Sequence, residues 1–149
     1  MIEINICKMP TTEFENAFQQ YKTALLPFIE KAFTWDEAFQ KNRFQTHYQP
    51  DWFHSVTSNS EQIGYVCFFE NDQELHVSLL IIFKKFQSKG YGKHAMKVLH
   101  EKADTKFLNV TLSTFKSNSL AVEFYKKIGY IVKGEDDHFY DMAFKKFRK

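Results

Sequence analysis

The stretch ELHVSLLIIFKKFQSKGYGKHAMKVLHEKA, residues 74–103, decides the fold of this chain. Residues 74–83 first alternate between polar and apolar and then become continuously apolar, which is typical of a strand buried inside a sheet. Residues 93–103 place apolar side chains at helical spacing. Because Gly90 and Gly92 lie between these two patterns, the sequence predicts a strand that passes through a tight turn into a helix.

The turn between this strand and helix has the chemistry of an anion-binding site. The first N–H groups of a helix have no partners inside the helix, and the helix dipole is positive at that end. Glycine lets the backbone approach a ligand, because it has no Cβ. Four lysines surround the turn: Lys84, Lys85, Lys89 and Lys93. The turn therefore suits a pyrophosphate, although a Gly-x-Gly after a strand is also common in plain turns.

The spacing of the glycines distinguishes between phosphate motifs. The dinucleotide fingerprint needs a third glycine, and the nucleoside-triphosphate loop needs Gly-Lys followed by Ser or Thr. Gln87-x-x-Gly90-x-Gly92 instead resembles the Gln/Arg-x-x-Gly-x-Gly/Ala signature of the GNAT acyltransferase superfamily. In that family the turn holds the pyrophosphate of acetyl-CoA. The resemblance implies that the coenzyme contacts Gln87, Ser88, Lys89, Gly90, Tyr91, Gly92 and Lys93.

A second stretch carries the same resemblance. Residues 118–130, NSLAVEFYKKIGY, are similar to the family's Asn-x-x-Ala-x-x-Phe-Tyr-x-x-x-Gly-Phe/Tyr block. This block follows the glycine turn by about one strand, as it does in the family. Ile63-Gly64-Tyr65 also matches the start of the family's sheet, so the resemblance covers residues 63–144.

The remaining patterns predict one domain, residues 1–149, with a mixed α+β fold. We expect strands near residues 2–6, 52–57, 63–69, 74–83, 107–113, 130–133 and 138–147. We expect helices near 13–33, with a break or kink at Pro27, and near 35–48, 93–103 and 118–127. The order β-α-α-β-β-β-α-β-α-β-β is that of the GNAT fold, a mostly antiparallel mixed sheet with helices on both faces.

Composition limits the classes of function. The 149 residues include 17 Phe and 7 Tyr, which argues against disorder. A net charge of +2 is too small to indicate nucleic-acid binding, and no apolar run is long enough to span a membrane. Cys7 and Cys67 lack metal-type spacing. We expect a cytoplasmic protein with no metal and with neither nucleic acid nor membrane as partner, while the aromatic content leaves a homodimer open.

Acyl transfer from a thioester to an amine needs a proton donor for the departing thiolate and a base for the amine. The resemblance implies that Tyr125, in the Phe-Tyr block, is the acid. The family's base often lies on the strand before the glycine turn, where this chain has His76, with Glu74 two residues earlier on the same strand face. A neutral imidazole suits removal of an ammonium proton. Residue type alone favours a packing role for Tyr125 and a structural role for His76.

The resemblance also places the rest of the coenzyme and the acceptor. Pantetheine lies in the family between two separating parallel strands, where it pairs with backbone groups that correspond to Leu80, Ile81 and Ile82. Asn118 would reach the coenzyme arm and also suits a helix cap. Family members often contact their acceptor through the helix that here carries Trp35, Asp36, Glu37 and Arg43. Charged residues on a helix are otherwise typical of a solvated face, although a Trp beside carboxylates suits a cationic amine.

Together these patterns predict an acetyl-CoA-dependent N-acetyltransferase. It would move an acetyl group to the primary amine of a small molecule or peptide, by direct attack in a ternary complex. Neither cysteine lies in a motif for a nucleophile. Two alternatives stay open: a non-catalytic CoA-binding regulatory module of the same fold, and a peptide- or nucleic-acid-binding protein whose lysines contact phosphate.

Overall fold

The computed structural model describes residues 2–31 and 34–145, which form seven strands and four helices. The strands are β1 Asn5–Lys8, β2 Phe53–Ser58, β3 Glu61–Glu70, β4 Glu74–Ile82, β5 Asn109–Phe115, β6 Tyr130–Glu135 and β7 Phe139–Phe144. The helices are α1 Phe14–Ile29, α2 Glu37–His47, α3 Tyr91–Thr105 and α4 Ser119–Ile128. The predicted element order is confirmed. The predicted ends at residues 33 and 147 lie outside the described residues.

The strands form a single sheet in the order β1-β2-β3-β4-β5-β7-β6. The central pair, β4 and β5, is parallel, and the other five neighbouring pairs are antiparallel. A helical crossover is the usual way to join parallel neighbours, and α3 supplies it here. The predicted fold class, a mostly antiparallel mixed sheet, is therefore confirmed.

Helices cover both faces of the sheet. On one face α3 and α4 pack on a core that includes Leu75, Val77 and Leu112. On the other face α1 and α2 pack on a core that includes Tyr65 and Ile81. We call these the α3 face and the α1 face.

The first strand lies later in the chain than its isoleucines suggest. Strand pairing begins at Asn5, which pairs with Thr57 of β2. Ile4 is buried in the α3-face core and Ile2 packs against it, but both precede the strand. Alternating isoleucines therefore reported burial here rather than strand pairing.

A bulge at Ser78 changes the facing of side chains along β4. Phe68 pairs with Val77, whereas the preceding residue of β3, Cys67, pairs with Leu79. Ser78 is thus the extra residue of a β-bulge, and the alternation shifts by one position there. As a result, His76 points to the same face as Leu79, the α1 face. The change in the sequence from alternating to continuous apolar residues falls at this point.

The two parallel strands separate beyond this bulge. Pairing between β4 and β5 runs from Glu74 with Asn109 to Val77 with Leu112. Both strands continue past the last pair, to Ile82 and Phe115 respectively. We call the gap between residues 78–82 and residues 113–115 the strand wedge, and its vertex lies at the last pair. Ser78 and Ser113 are the first residues beyond the vertex.

Candidate functional site

The glycine turn opens the N-terminus of α3. Gly90 is the residue before the helix and has φ +88°, a left-handed conformation that glycine adopts without strain. His94 donates its backbone N–H to the Gly90 carbonyl, so the N–H groups of residues 91–93 precede the first helical bond. Gln87 donates from Nε2 to the carbonyl of Ile82 at 2.9 Å and so ties the turn to the end of β4. Lys84, Lys85, Lys89 and Lys93 are all exposed around this turn, as expected.

A groove of about 390 Å³ runs from the turn towards the strand wedge. Its walls are the second half of α1, the end of β4 and the start of α4. The residues that line it include Leu80, Ile81, Ile82, Gln87 and Asn118. Leu80, Ile81 and Ile82 pair with β3 on one side only, because β5 has moved away on the other. Their wedge-side backbone groups are the ones that a bound chain can reach.

A smaller cavity of about 70 Å³ occupies the wedge itself. It shares Leu25, Leu80, Ile81 and Asn118 with the groove, so the two are adjacent. Its lining adds Ser78, Ser113 and Tyr125. A larger cavity of about 690 Å³ lies beside α3, and Lys93 is the only predicted site residue on its walls. Six of the predicted residues thus line the wedge cavity or the groove rather than the larger cavity: Leu80, Ile81, Ile82, Gln87, Asn118 and Tyr125.

Asn118 caps α4, as its preference for that position predicted. Its Oδ1 accepts a hydrogen bond from the backbone N–H of Ala121 at 3.2 Å. The same residue lines both the groove and the wedge cavity. The structural role and a place at the coenzyme site are thus compatible.

Tyr125 places a buried phenol in the wedge cavity. The residue is only 7% exposed, and its ring packs edge-on against Tyr130 with centroids 5.7 Å apart. Burial raises the pKa of the Tyr125 phenol well above its ordinary value. The hydroxyl is therefore protonated at neutral pH, which is the state that a proton donor needs.

His76 and Glu74 lie together on the α1 face, below the wedge vertex. His76 Nδ1 is 2.8 Å from Thr111 Oγ1, and Thr111 donates its hydroxyl proton to Glu74 Oε1 at 2.8 Å. Because a hydroxyl has one proton, the Thr111 oxygen must accept from Nδ1–H of His76. The Glu74 carboxylate is itself 3.5 Å from Nδ1. These contacts fix the neutral ring with its proton on Nδ1 and its lone pair on Nε2.

Two further residues extend this network on the other side of the ring. Ser113 Oγ is 3.3 Å from His76 Nε2 and 3.1 Å from Asp141 Oδ1, and its single proton can be donated to only one of these two acceptors at a time. We call the five residues the polar chain: Glu74, Thr111, His76, Ser113 and Asp141. Burial lowers the pKa of His76 below its ordinary value, while the carboxylates of Glu74 and Asp141 act in the opposite direction. The imidazole is therefore neutral at pH 7.

Sequence analysis identified only the two β4 members of the polar chain. Thr111 and Ser113 alternate on a predicted strand that runs parallel to β4, and this alternation could have indicated a shared face. Asp141 enters through the pairing of Ser113 with Asp141 between β5 and β7. That register depends on the whole sheet, so no local pattern predicts it.

Three of the four predicted acceptor residues, Trp35, Asp36 and Glu37, are engaged with their own chain. Asp36 caps α2 by accepting from the backbone N–H of Phe39 at 3.0 Å. Glu37 accepts from Lys22 Nζ at 2.7 Å and from Trp35 Nε1 at 3.0 Å. The Lys22 ammonium also lies 5.7 Å from the Trp35 ring centroid. The wall proposed for a cationic amine thus already holds a cation of the protein.

The structure does not bring these acceptor residues to the strand wedge. Trp35, Asp36, Glu37 and Arg43 are absent from the residues that line the groove and the wedge cavity. Tyr48, at the end of α2, lines the wedge cavity in their place, and sequence analysis did not single it out. Contact between the four residues and an acceptor stays a prediction.

Within residues 2–31 and 34–145, no group of three or more His, Cys, Asp or Glu side chains could hold a metal ion. Over the same residues, no helix is long and apolar enough to cross a membrane.

Solved structures share this architecture. The PaiA N-acetyltransferase from Thermoplasma acidophilum, in complex with coenzyme A, has a TM-score of 0.73 at 17% identity, covering 96% of this chain and 99% of that one. Arabidopsis thaliana Naa50, in complex with the bisubstrate analogue CoA-Ac-MVNAL, has a TM-score of 0.64 at 12% identity, covering 94% and 97%. At these identities the likeness shows the fold.

Sequence comparisons show the family. A phage relative, the 5-NmdU N-acetyltransferase of Pseudomonas phage PaMx11, is 30% identical over 88 residues, which span 59% of this chain and 63% of that protein. The match thus covers less than two thirds of the relative's length. A family model described as the acetyltransferase (GNAT) family matches residues 11–130. The chain therefore belongs to the GNAT acetyltransferase family.

Proposed function

We propose that this enzyme transfers the acetyl group of acetyl-CoA to the primary amine of a small molecule or peptide, by direct attack in a ternary complex. The observation that carries the proposal is the strand wedge, where one cavity is lined by Tyr125 and by Ser113, the hydrogen-bond partner of His76. Names of the relatives support the chemistry, since one structure holds coenzyme A and another holds a CoA-peptide analogue.

The residues of the groove fit acetyl-CoA. The N–H groups of residues 91–93 and the exposed lysines offer donors and positive charge to a pyrophosphate. A Cβ at Gly90 would make an ordinary van der Waals contact with Ile2 Cδ1 at 3.6 Å, so what requires glycine within the chain is its left-handed φ rather than a clash. The wedge-side backbone of residues 80–82 would pair with the pantetheine amides. When bound, acetyl-CoA supplies the thioester that is cleaved.

The acid and the base lie on opposite sides of the wedge vertex. Tyr125 donates its proton to the departing sulfur, which becomes the thiol of CoA. His76 accepts the proton that the acceptor ammonium must lose before its nitrogen attacks. A bond forms between the amine nitrogen and the acetyl carbon as the bond between that carbon and sulfur breaks. The raised pKa of Tyr125 and the lowered pKa of His76 give both groups the required protonation state at neutral pH.

A panel of amines tests the proposal by release of the CoA thiol. The panel should contain polyamines, amino acids, peptides with free N-termini and 5-NmdU, the compound in the phage relative's name. We expect at least one amine to give multiple turnovers and an acetylated product detected by mass spectrometry. Acetyl-CoA binding by calorimetry, without CoA release for any amine, would instead indicate a regulatory module of the same fold.

A further inference from the structure

The polar chain contains residues to which the proposed reaction assigns no role. It crosses three strands, from Glu74 on β4 through β5 to Asp141 on β7. We infer that Ser113 relays the proton of the acceptor amine from the strand wedge to His76, with Thr111 and Asp141 as positioning residues. This inference rests on the proposed acetyl transfer and names further residues of the same site.

The first argument is the position of Ser113 at the wedge vertex. It is the first β5 residue beyond the last β4–β5 pair, and it lines the wedge cavity together with Tyr125. His76 precedes the vertex and is not part of that lining. A proton that leaves an amine in the wedge cavity must therefore be transferred out of the cavity to reach the His76 imidazole. Ser113 is the side chain that both lines the cavity and lies within hydrogen-bond distance of Nε2, at 3.3 Å.

The second argument is the tautomer of His76. Nδ1–H donates to Thr111, whose own proton goes to Glu74. This arrangement leaves Nε2 without a proton and directs its lone pair towards Ser113. The Ser113 hydroxyl can thus give its proton to Nε2 while its oxygen accepts the proton of the ammonium. Serine is unchanged after the step, and the net result is a neutral amine and an imidazolium.

The third argument is the second acceptor of Ser113. Once Nε2 carries a proton it donates to the Ser113 oxygen, and the Ser113 proton turns to Asp141, 3.1 Å away. The charged groups that face the ring are Glu74 from β4 and Asp141 from β7. β3 contributes the uncharged ring of Phe69, with its centroid 5.3 Å from that of His76. The imidazolium therefore forms between two carboxylates, each linked to it through a hydroxyl group.

A covalent role is the alternative for Ser113. Its oxygen could attack the thioester, so that an ester forms, the carbon–sulfur bond breaks and CoA leaves before the amine binds. The two acceptors near the Ser113 hydroxyl, His76 Nε2 and Asp141 Oδ1, could serve either role. The two roles differ in whether CoA is released when no amine is present.

The experiment compares Ser113→Ala, Ser113→Thr and wild type from acidic to alkaline pH, with acetyl-CoA and the best amine of the panel. Ser113→Ala should lower kcat by about tenfold or more at neutral pH, since part of a general-base contribution is lost. The loss should shrink at alkaline pH, where the amine is already neutral. KM for acetyl-CoA should not change, and Ser113→Thr should recover kcat. Ser55→Ala, which removes a buried hydroxyl from β2, is the control and should match wild type.

Nitrogen-15 chemical shifts of His76 provide a readout that does not need turnover. In Ser113→Ala the ring should keep its proton on Nδ1, because Thr111 and Glu74 still hold it. Asp141→Asn should lower the pKa of His76, because the substitution removes a negative charge that favours the imidazolium. A neutral ring protonated on Nε2 in the wild-type protein would overturn the relay.

Two kinetic outcomes would also overturn it. If wild type turns over and Ser113→Ala matches it at every pH, Ser113 carries no proton. If one equivalent of CoA is released without amine, and Ser113→Ala abolishes this release, Ser113 is a nucleophile. A wild-type enzyme that acetylates no amine overturns the proposed function, and the relay with it. The first outcome leaves the proposed function intact, whereas the second leaves acetyl transfer intact but replaces direct attack with an acyl-serine intermediate.

Discussion

The two sides of the strand wedge are built from different atoms. On the side of the proposed coenzyme site, the groups available to a ligand are backbone N–H and C=O groups at the glycine turn and along residues 80–82. On the polar-chain side, the groups are side chains brought together from β4, β5 and β7. The backbone groups are present whatever the side chains are, whereas the polar chain depends on the identity of each of its side chains. Substitutions on the two sides should therefore affect different kinetic constants.

The largest effect should come from Tyr125, the proposed acid. Tyr125→Phe should lower kcat by about 10²-fold or more, because the leaving sulfur loses its proton donor. The Kd for acetyl-CoA, measured by calorimetry, should change little, because the ring still packs against Tyr130. Equal kcat in the variant and wild type would reduce Tyr125 to a packing residue.

Removal of the proposed base should give a smaller loss that depends on pH. His76→Ala should lower kcat at neutral pH by about ten- to a hundredfold, and by less at alkaline pH, where the amine is already neutral. In wild type the acidic limb should titrate below the ordinary pKa of histidine, because burial lowers the pKa of His76. The rate falls as pH drops through that value, since the imidazole gains a proton and can no longer accept one.

The companion variants are Glu74→Ala and the double variant His76→Ala/Glu74→Ala. If Glu74 only orients the ring through Thr111, its removal should add little once His76 is gone. An unaltered pH profile in the double variant would show that the amine loses its proton to solvent before it binds.

The glycine turn should respond in affinity rather than in rate. Gly90→Val forces a β-branched residue into φ +88°, so we expect acetyl-CoA to bind roughly tenfold more weakly, with kcat at saturation changing less. Gly134→Val is the matched control for coenzyme affinity, because Gly134 has no positive φ and lies on β6 beside Asp141 rather than at the glycine turn. Circular dichroism should show both variants folded. Unchanged affinity in Gly90→Val would remove the turn from the coenzyme site.

The smallest effect should come from the Lys22–Glu37 pair. Lys22→Ala frees Glu37 and the Trp35 ring from the cation that they now hold. If these residues are away from the reacting amine, KM for the acceptor should change by less than about twofold, as is usual for an exposed ion pair. A clear fall in KM for a cationic amine, absent for a neutral one, would place Trp35 and Glu37 at the acceptor site.

The same contrast explains what the sequence could predict. The glycine turn and the Asn118–Tyr130 block are local sequence patterns. In the structure the first forms a turn before a helix, and the second forms a helix capped by Asn118. The order of strands and helices followed from periodicity and crossover rules. The family and the fold class were therefore predictable from the chain alone.

Features that depend on register or on helix packing were not predictable. Asp141 reaches Ser113 only because β7 pairs with β5 in a particular register. Lys22 reaches Glu37 because α1 and α2 pack side by side on the sheet. The predicted helix over residues 13–33 ends at Ile29, with Pro27 in its last turn. Pro27 lacks the N–H that would bond to the preceding turn, yet α1 continues past it, so the proline does not divide the helix.

The extra residue in β4, Ser78, reverses which side chains face α1: the alternation before it is the opposite of the alternation after it. Below Ser78 the even-numbered residues face α1, and above it the odd-numbered ones do. Without the extra residue, β4 could not both line the wedge and place Glu74 and His76 on the α1 face. Deletion of Ser78 should therefore shift the alternation of the side chains by one position on one side of the deletion. To keep the upper half in place, the lower half would turn Leu75 and Val77 towards the α1 face and drive both ionisable side chains into the α3 core.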